Sequence, residues 1–186
     1  MHRLIKASFP LLFCTAIALS QPAHPFKLTS AEIAAGQKIA DAQVFNGFGC
    51  SGKNVSPSLD WTNAPPGTKS FALMVHDPDA PTGSGWWHWV VINIPATVHS
   101  LAANAGDPKS ALMPPGATQV NTDFGSPGYG GPCPPAGSAP HRYQFRLFAL
   151  KIARIDVPKN ASAAMIGFNV KANSIAVAEL TALYSR

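Results

Sequence analysis

The sequence predicts a mainly β domain, and three observations carry that expectation. Charged residues are only 12% of the 186, while Pro and Gly number 18 and 15, a composition that favours strands and loops over a helical bundle. Ser70 to His76 is a continuous apolar run, the mark of a buried central strand. From His141 to Leu150 the chain alternates: His141, Tyr143, Phe145 and Leu147 face one way, and Arg142, Gln144 and Arg146 the other.

The other elements follow in chain order. Phe26-Lys27-Leu28 reads as a short strand. Thr29-Ser30-Ala31-Glu32 fits a capping box, with Leu28 and Ile33 placed as a staple, which predicts a short helix from Ser30 that Gly36 stops. Asn46 to Ser58 carries three glycines, Asn54 and Pro57, and reads as a loop; Ala64-Pro65-Pro66-Gly67 is a turn. His88 to Ile94 is a strand that places His88, Val90, Ile92 and Ile94 on one face and Trp89, Val91 and Asn93 on the other. Asn104 to Pro140 is rich in Gly and Pro, and a loop of that length in a compact domain is functional or disordered. Ala176, Val177, Leu180, Leu183 and Tyr184 form one face of a C-terminal helix beginning near Ser174.

Residues 1–20 have the pattern of a secretory signal: basic Arg3 and Lys6, an apolar Ala7 to Leu19, and small residues before Gln21. The apolar run contains Pro10 and is short for a membrane anchor. Residues 21–186 then form a single domain of the secreted or periplasmic kind. Loss of Arg3 and Lys6 lowers the formal charge from +5 to +3, and no Lys/Arg cluster is present, which sets nucleic-acid binding aside. Cys50 and Cys133 remain as an even pair and suggest a disulfide in an oxidising compartment, against two buried free thiols as the alternative.

The chemistry concentrates in "HDPDAP", His76 to Pro81, where an apolar strand ends in two carboxylates held between prolines. Asp77, Asp79, His88 and His141 are acceptable zinc or manganese ligands, but their spacing matches no metal motif. A Cys133–His141 nucleophile pair is conceivable, and a disulfide to Cys50 disables it. Asp77 and Asp79 lie on one stiff tripeptide, poorly placed to flank a glycosidic bond. Anion binding is the remaining reading. Gly128-Tyr129-Gly130-Gly131 can present backbone N–H groups, histidines supply donors, and Asp77 orients His88 or His141. Each feature alone has a bland explanation as a turn, a structural histidine or a core tryptophan; their combination in one chain points to a site.

That combination, "DPDAP", "WWHWVVINIP" and "GSPGYGGPCPPAGSAPHRYQF", preceded by "CSGKNVSPSLDW", resembles the signature blocks of the phosphatidylethanolamine-binding protein (PEBP) family, in its bacterial Raf kinase inhibitor-like branch of the YbhB/YbcL type. The resemblance runs from about Phe26 to Arg186. It implies a compact domain with a large central antiparallel sheet, a smaller second sheet and short peripheral helices including one at the C-terminus. It also implies a strand and only a short helical turn where the capping box stands, and a cis bond in the Asp-Pro-Asp-Ala-Pro turn, at Ala80–Pro81. The implied pocket binds phosphate-like anions or phospholipid head groups through Asp77, Asp79, Trp86, His88, Pro135, His141 and Tyr143, with Gly131, Cys133 and Pro134 in its wall. No cofactor, metal or catalytic residue is implied, and "kinase inhibitor" is a family label. The expected function is therefore small-anion binding without an enzymatic step. The rivals are a metal- or Cys-assisted hydrolase, and an inhibitor-like module that presents the Gly/Pro-rich loop to a protein partner.

Overall fold

The computed structural model describes residues 24–158 and 160–186. Residues 1–20, read from the sequence as a secretory signal, lie outside the described residues. Among the described residues, no helix is long and apolar enough to cross a membrane.

The elements in order are β1 (Lys27–Thr29), β2 (Asn46–Gly47), β3 (Cys50–Ser51), β4 (Leu59–Thr62), β5 (Ser70–Asp77), β6 (Trp86–Pro95), β7 (Ser100–Leu101), β8 (Thr118–Gln119), β9 (His141–Leu150), α1 (Ala163–Asn173) and β10 (Ser174–Tyr184). A five-stranded antiparallel sheet runs β10-β9-β5-β6-β8, a three-stranded sheet runs β1-β4-β7, and β2-β3 is a small hairpin. The large sheet is covered on both faces. One face packs on the small sheet through Phe71, Leu73, Val75, Trp89, Tyr143, Phe145 and Leu180 against Leu28, Leu59, Trp61 and Leu101. The other face packs on α1 through Ala72, Met74, Val90, Ile92 and Leu150 against Ala163, Ile166 and Val170. Burial on both faces explains why β5 is apolar without alternation, as a central strand must be.

Four local expectations are corrected. The C-terminal helix is present, but it is α1, one element before the segment that suggested it. Residues 174–184 instead pair with β9 along its whole length, from Ser174↔Leu150 to Tyr184↔His141. Ala176, Leu180 and Tyr184 satisfy a four-residue spacing and a two-residue spacing alike. The open edge of β9 decides between them, and Ala178, Leu180, Ala182 and Tyr184 become the buried face. The helix itself starts where Ser162 Oγ accepts from the Met165 amide.

At Ser30 no helix forms. Its Oγ accepts from the amides of Glu32 and Ile33, as a cap would. The Glu32 carboxylate, however, accepts from the amide (2.9 Å) and hydroxyl (2.7 Å) of Ser58. The chain then turns so that the Gly36 amide reaches Thr181 O on β10. Tertiary partners take the groups that a helix would have used.

The third correction concerns β6, which carries two bulges. Between Leu73↔Val91 and Phe71↔Ile94 it has one extra residue, near Asn93, whose φ is 60°. The Asn93 side chain accepts from Ile155 N (2.7 Å) and donates to Ile155 O (3.2 Å), which holds the bulge. Ile94 therefore joins Trp89 and Val91 instead of Val90 and Ile92. Between Val75↔Trp89 and His76↔Trp87 the extra residue is His88. A bulged residue is re-aimed, so His88 leaves the α1 face and its ring meets Tyr143, 5.1 Å between centroids, on the opposite face. Finally, no cis peptide bond occurs among the described residues, so Ala80–Pro81 is trans.

Candidate ligand-binding pocket

The bulge at His88 brings three strands' polar ends together on one face. Asp77 ends β5 in register with Phe71, Leu73 and Val75; His141 begins β9 in register with Tyr143 and Phe145; His88 enters from β6. They form the floor of a cavity of about 170 Å³. Asp77, His88, His141 and Tyr143 are all buried there, while Phe48, Pro81, Thr82 and Pro135 are exposed at the rim. Trp86, Phe124, Cys133 and Pro134 complete the wall.

Both aspartates are fully engaged within the protein. Asp77 Oδ1 accepts from the Asp79 amide (2.9 Å), and Asp77 Oδ2 accepts from His141 Nδ1–H (2.8 Å). Asp79 takes a bidentate ion pair from Arg142 Nε (2.9 Å) and Nη2 (2.7 Å), and a third bond from the Arg142 amide (2.9 Å). The Arg142 side chain thereby holds the Asp79 carboxyl down to about 2. Two carboxylates between prolines thus build a rim-to-strand clamp: Asp79 ties the turn to β9, and Asp77 orients His141.

His88 is fixed by a reciprocal pair. Its carbonyl accepts from the Gly130 amide (2.9 Å), and its Nδ1–H donates to Gly130 O (2.6 Å). The donation to a carbonyl sets the tautomer: Nδ1 carries the proton, and Nε2 is left as an acceptor with no protein partner among the described residues. Burial pushes the ring's pKa down to about 4, with the Gly130 carbonyl and Asp77 opposing. Tyr143 is held as the protonated phenol, first by burial and then by the neighbouring Asp77.

The depressed His88 pKa gives a stability prediction with a definite sign. Between pH 6.5 and about 4 the unfolded chain binds a proton at this residue that the folded chain refuses. The stabilisation is complete above pH 6.5 and drains away as pH falls towards 4, by on the order of 3 kcal/mol. Urea midpoints at pH 7 and pH 4.5 check it: His88→Gln should show a smaller acid-side decline than the parent chain, and an equal decline would refute the buried neutral imidazole.

Of the sequence-predicted site residues, Asp77, Trp86, His88, Cys133, Pro134, Pro135, His141 and Tyr143 line the cavity. Asp79 and Gly131 do not. Asp79 stands behind the rim on Arg142. Gly131 lies behind the wall, where its amide donates to Asn54 Oδ1 (2.8 Å). The Gly130 and Tyr129 amides are likewise spent on His88 O and Gly106 O, so the glycine segment is no open anion nest. Gly131 serves close packing instead: a Cβ there would sit 2.0 Å from Gln43 O. That contact is with backbone and cannot yield, so Gly131→Ala should cost at least about 2 kcal/mol in a denaturation midpoint. The long Gly/Pro-rich segment is held throughout by such bonds, including Tyr129 Oη to Gln43 O (3.0 Å) and Asn54 Nδ2 to Tyr129 O (3.1 Å).

Cys50 and Cys133 are bridged across a separation of 83 residues. The bridge ties the β2–β3 hairpin, which carries Phe48, to the pocket wall. It also leaves Cys133 without a free thiol. Among the described residues, no group of three or more His, Cys, Asp or Glu side chains converges as a metal site. Sequence reasoning missed Phe48, Ala80, Pro81, Thr82 and Phe124 as lining residues. Phe48 had a signal, an aromatic residue between two glycines directly before a bridging cysteine. Phe124 had none, because its position depends on the path of the long loop.

Comparison with known proteins places the chain in a family. The sequence model described as phosphatidylethanolamine-binding protein matches residues 29–185. The chain is 53% identical to the UPF0098 protein YbcL of Escherichia coli K12 over 168 residues, 90% of this chain and 92% of that one. It is 52% identical to the UPF0098 protein YbhB of the same organism over 159 residues, 86% of this chain and 99% of that one. The crystal structure of E. coli YbcL, described as a new member of the mammalian PEBP family, superposes with a TM-score of 0.85, covering 87% of this chain and 98% of that one. The mainly β architecture, the matched segment and these identities show that the chain belongs to the phosphatidylethanolamine-binding protein family.

Proposed function

We propose that this chain binds a phosphate-type anion, free or as part of a phosphorylated head group, in the cavity floored by His88, His141 and Tyr143, and that it does so without turning the ligand over. The observation that carries this reading is the engagement of both carboxylates. An ionised aspartate facing the cavity would repel an anion. Here Asp79 is neutralised by Arg142, and Asp77 is spent on His141 and the Asp79 amide. His141 spends its Nδ1 on Asp77, which leaves Nε2 for a ligand, and burial keeps the Tyr143 phenol protonated beside it. The apolar rim of Phe48, Trp86 and Phe124 suits the organic part of a head group.

Family membership fits a binding or modulating role. The bridged cysteines support an oxidising compartment, hence a secreted or periplasmic location after removal of residues 1–20. The test is an NMR titration of the chelator-treated mature chain with phosphate and phosphoethanolamine at pH 6 and pH 7.5. Saturable shifts at His88 and His141 are expected without metal. Absence of shifts at both pH values would overturn the reading.

A further inference from the structure

We propose that the chain carries a second binding site, a cleft that shares the Phe48–Phe124 wall with the first pocket, and that this cleft takes a small aromatic carboxylate. The ligand's ring lies on the phenylalanines, and its carboxylate pairs with Lys53 and Lys109. The proposal does not rest on the anion-pocket reading, because none of Asp77, His88, His141 and Tyr143 lines this cleft.

The cleft measures about 530 Å³, within the range of sites that hold small organic molecules. Phe45 extends its wall beside Phe48 and Phe124. The rings form one cluster: Phe45 stands 4.7 Å from Phe124 and 5.2 Å from Phe48, and Phe48 and Phe124 are near parallel, 11° apart at 6.0 Å. Gly130 makes room for them, since a Cβ there would sit 2.2 Å from the Phe124 ring. Lys53, Asn104 and Lys109 also line the cleft. Both lysines are exposed, and neither is in an ion pair among the described residues. Among the described residues Asp107 is the one acid that lines the cleft, and its Oδ1 accepts from the Lys109 amide (2.9 Å) in its own turn. Two cations against one engaged carboxylate leave the cleft positive.

Phe48 carries the argument furthest. It stands first in the two-residue loop of the β2–β3 hairpin, which the Gly47↔Cys50 pair closes. Both loop residues have positive φ, 52° at Phe48 and 81° at Gly49. Such loops favour Asn-Gly or Asp-Gly, because the first side chain must accept the left-handed conformation. Phenylalanine is disfavoured there. It is not held there as core either, being 67% exposed. A bulky residue that breaks the local rule and still lies open to solvent marks a position set by what it contacts. Asn54 and Asn104, two more of the six non-glycine residues with positive φ among the described residues, line the same cleft. A ring stacked on Phe48 and Phe124 covers the open aromatic face, and a carboxylate on the same ligand meets the ammonium groups. An exposed ion pair alone is worth little. Ring and charge must therefore act together, which makes the class an aromatic carboxylate and not a simple inorganic anion.

Amide NMR of the mature, oxidised chain at pH 7 tests this with phenylacetate, and with acetate and phenylacetamide as probes that lack the ring or the charge. Phenylacetate is expected to give saturable shifts at Gly106, Lys109 and Gly128. Each of the other probes should bind at least about fivefold more weakly. The Lys53→Gln/Lys109→Gln double variant should bring phenylacetate down to the affinity of phenylacetamide. Phe48→Asn supplies the residue that the turn prefers and removes the ring. It should keep or raise the urea midpoint and still lose at least about fivefold in phenylacetate affinity. Phenylacetate shifts confined to His88 and His141, or no saturable shift at all, would overturn the proposal. Phenylacetamide binding as tightly as phenylacetate would overturn it, as would full affinity in the folded lysine or Phe48 variants. A phosphate titration followed at His88 and His141 reads the first pocket separately, so the failure of either reading leaves the other standing.

Discussion

Replacing Asp77 by Asn is expected to weaken anion binding roughly a hundredfold while the sheet remains folded. Both carboxylate oxygens are used, one for the Asp79 amide and one for His141 Nδ1–H. Asparagine has one acceptor and two donors, so it can serve only one of these partners and presents an N–H to the other. If it keeps the Asp79 amide, the amide nitrogen confronts His141 Nδ1. The imidazole must then turn or change tautomer, and Nε2 is no longer held towards the ligand. A buried hydrogen bond to a charged group is worth about 1.5–3 kcal/mol, which sets the magnitude. Calorimetry with phosphate reads the affinity, and far-ultraviolet circular dichroism verifies the fold. Unchanged affinity in a folded variant would show that His141 does not depend on Asp77 for binding. Arg142→Ala should behave differently, since Arg142 reaches the cavity only through Asp79.

Opening the Cys50–Cys133 bridge is expected to have the largest effect on stability. The bridge closes a separation of 83 residues. Chain-entropy reasoning assigns about 4 kcal/mol to a loop of this length, or a fall on the order of 10 °C in Tm for a domain of this size. The Cys50→Ser/Cys133→Ser double variant, compared with the oxidised parent in urea, measures it. An unchanged midpoint would mean that the surrounding contacts hold the loop without help. The floor residues belong to β5, β6 and β9, so phosphate binding should weaken but persist. Ligands that use the apolar rim should lose more, because Phe48 rides on the released hairpin.

The strands that carry the floor were legible because each had a strong local signal. The apolar run of β5 and the alternation of β9 fix which face Asp77, His141 and Tyr143 occupy, and both strands keep that register to the end. The signature blocks placed eight of the cavity's lining residues. Where local signals competed with a tertiary partner, the partner won. Ser30 lost its helix because Ser58 binds the Glu32 carboxylate. Residues 174–184 lost theirs because β9 offered an unpaired edge.

His88 shows most clearly where local reasoning stops. Alternation along β6 puts it with Val90 and Ile92, beneath α1. A bulge is an extra residue in one strand relative to its neighbour, so it becomes visible only once β5 and β6 are paired. The same pairing decides that Gly130 faces His88 and hence which nitrogen is left for a ligand. By itself, the sequence determined the β class, the two central strands, the cysteine pair and the chemical groups at the strand ends, because composition and period are local properties. The tertiary structure decided the face of His88, the partners that silence the two aspartates and the fate of both helix signals. Each of these depends on hydrogen bonds between residues far apart in the chain.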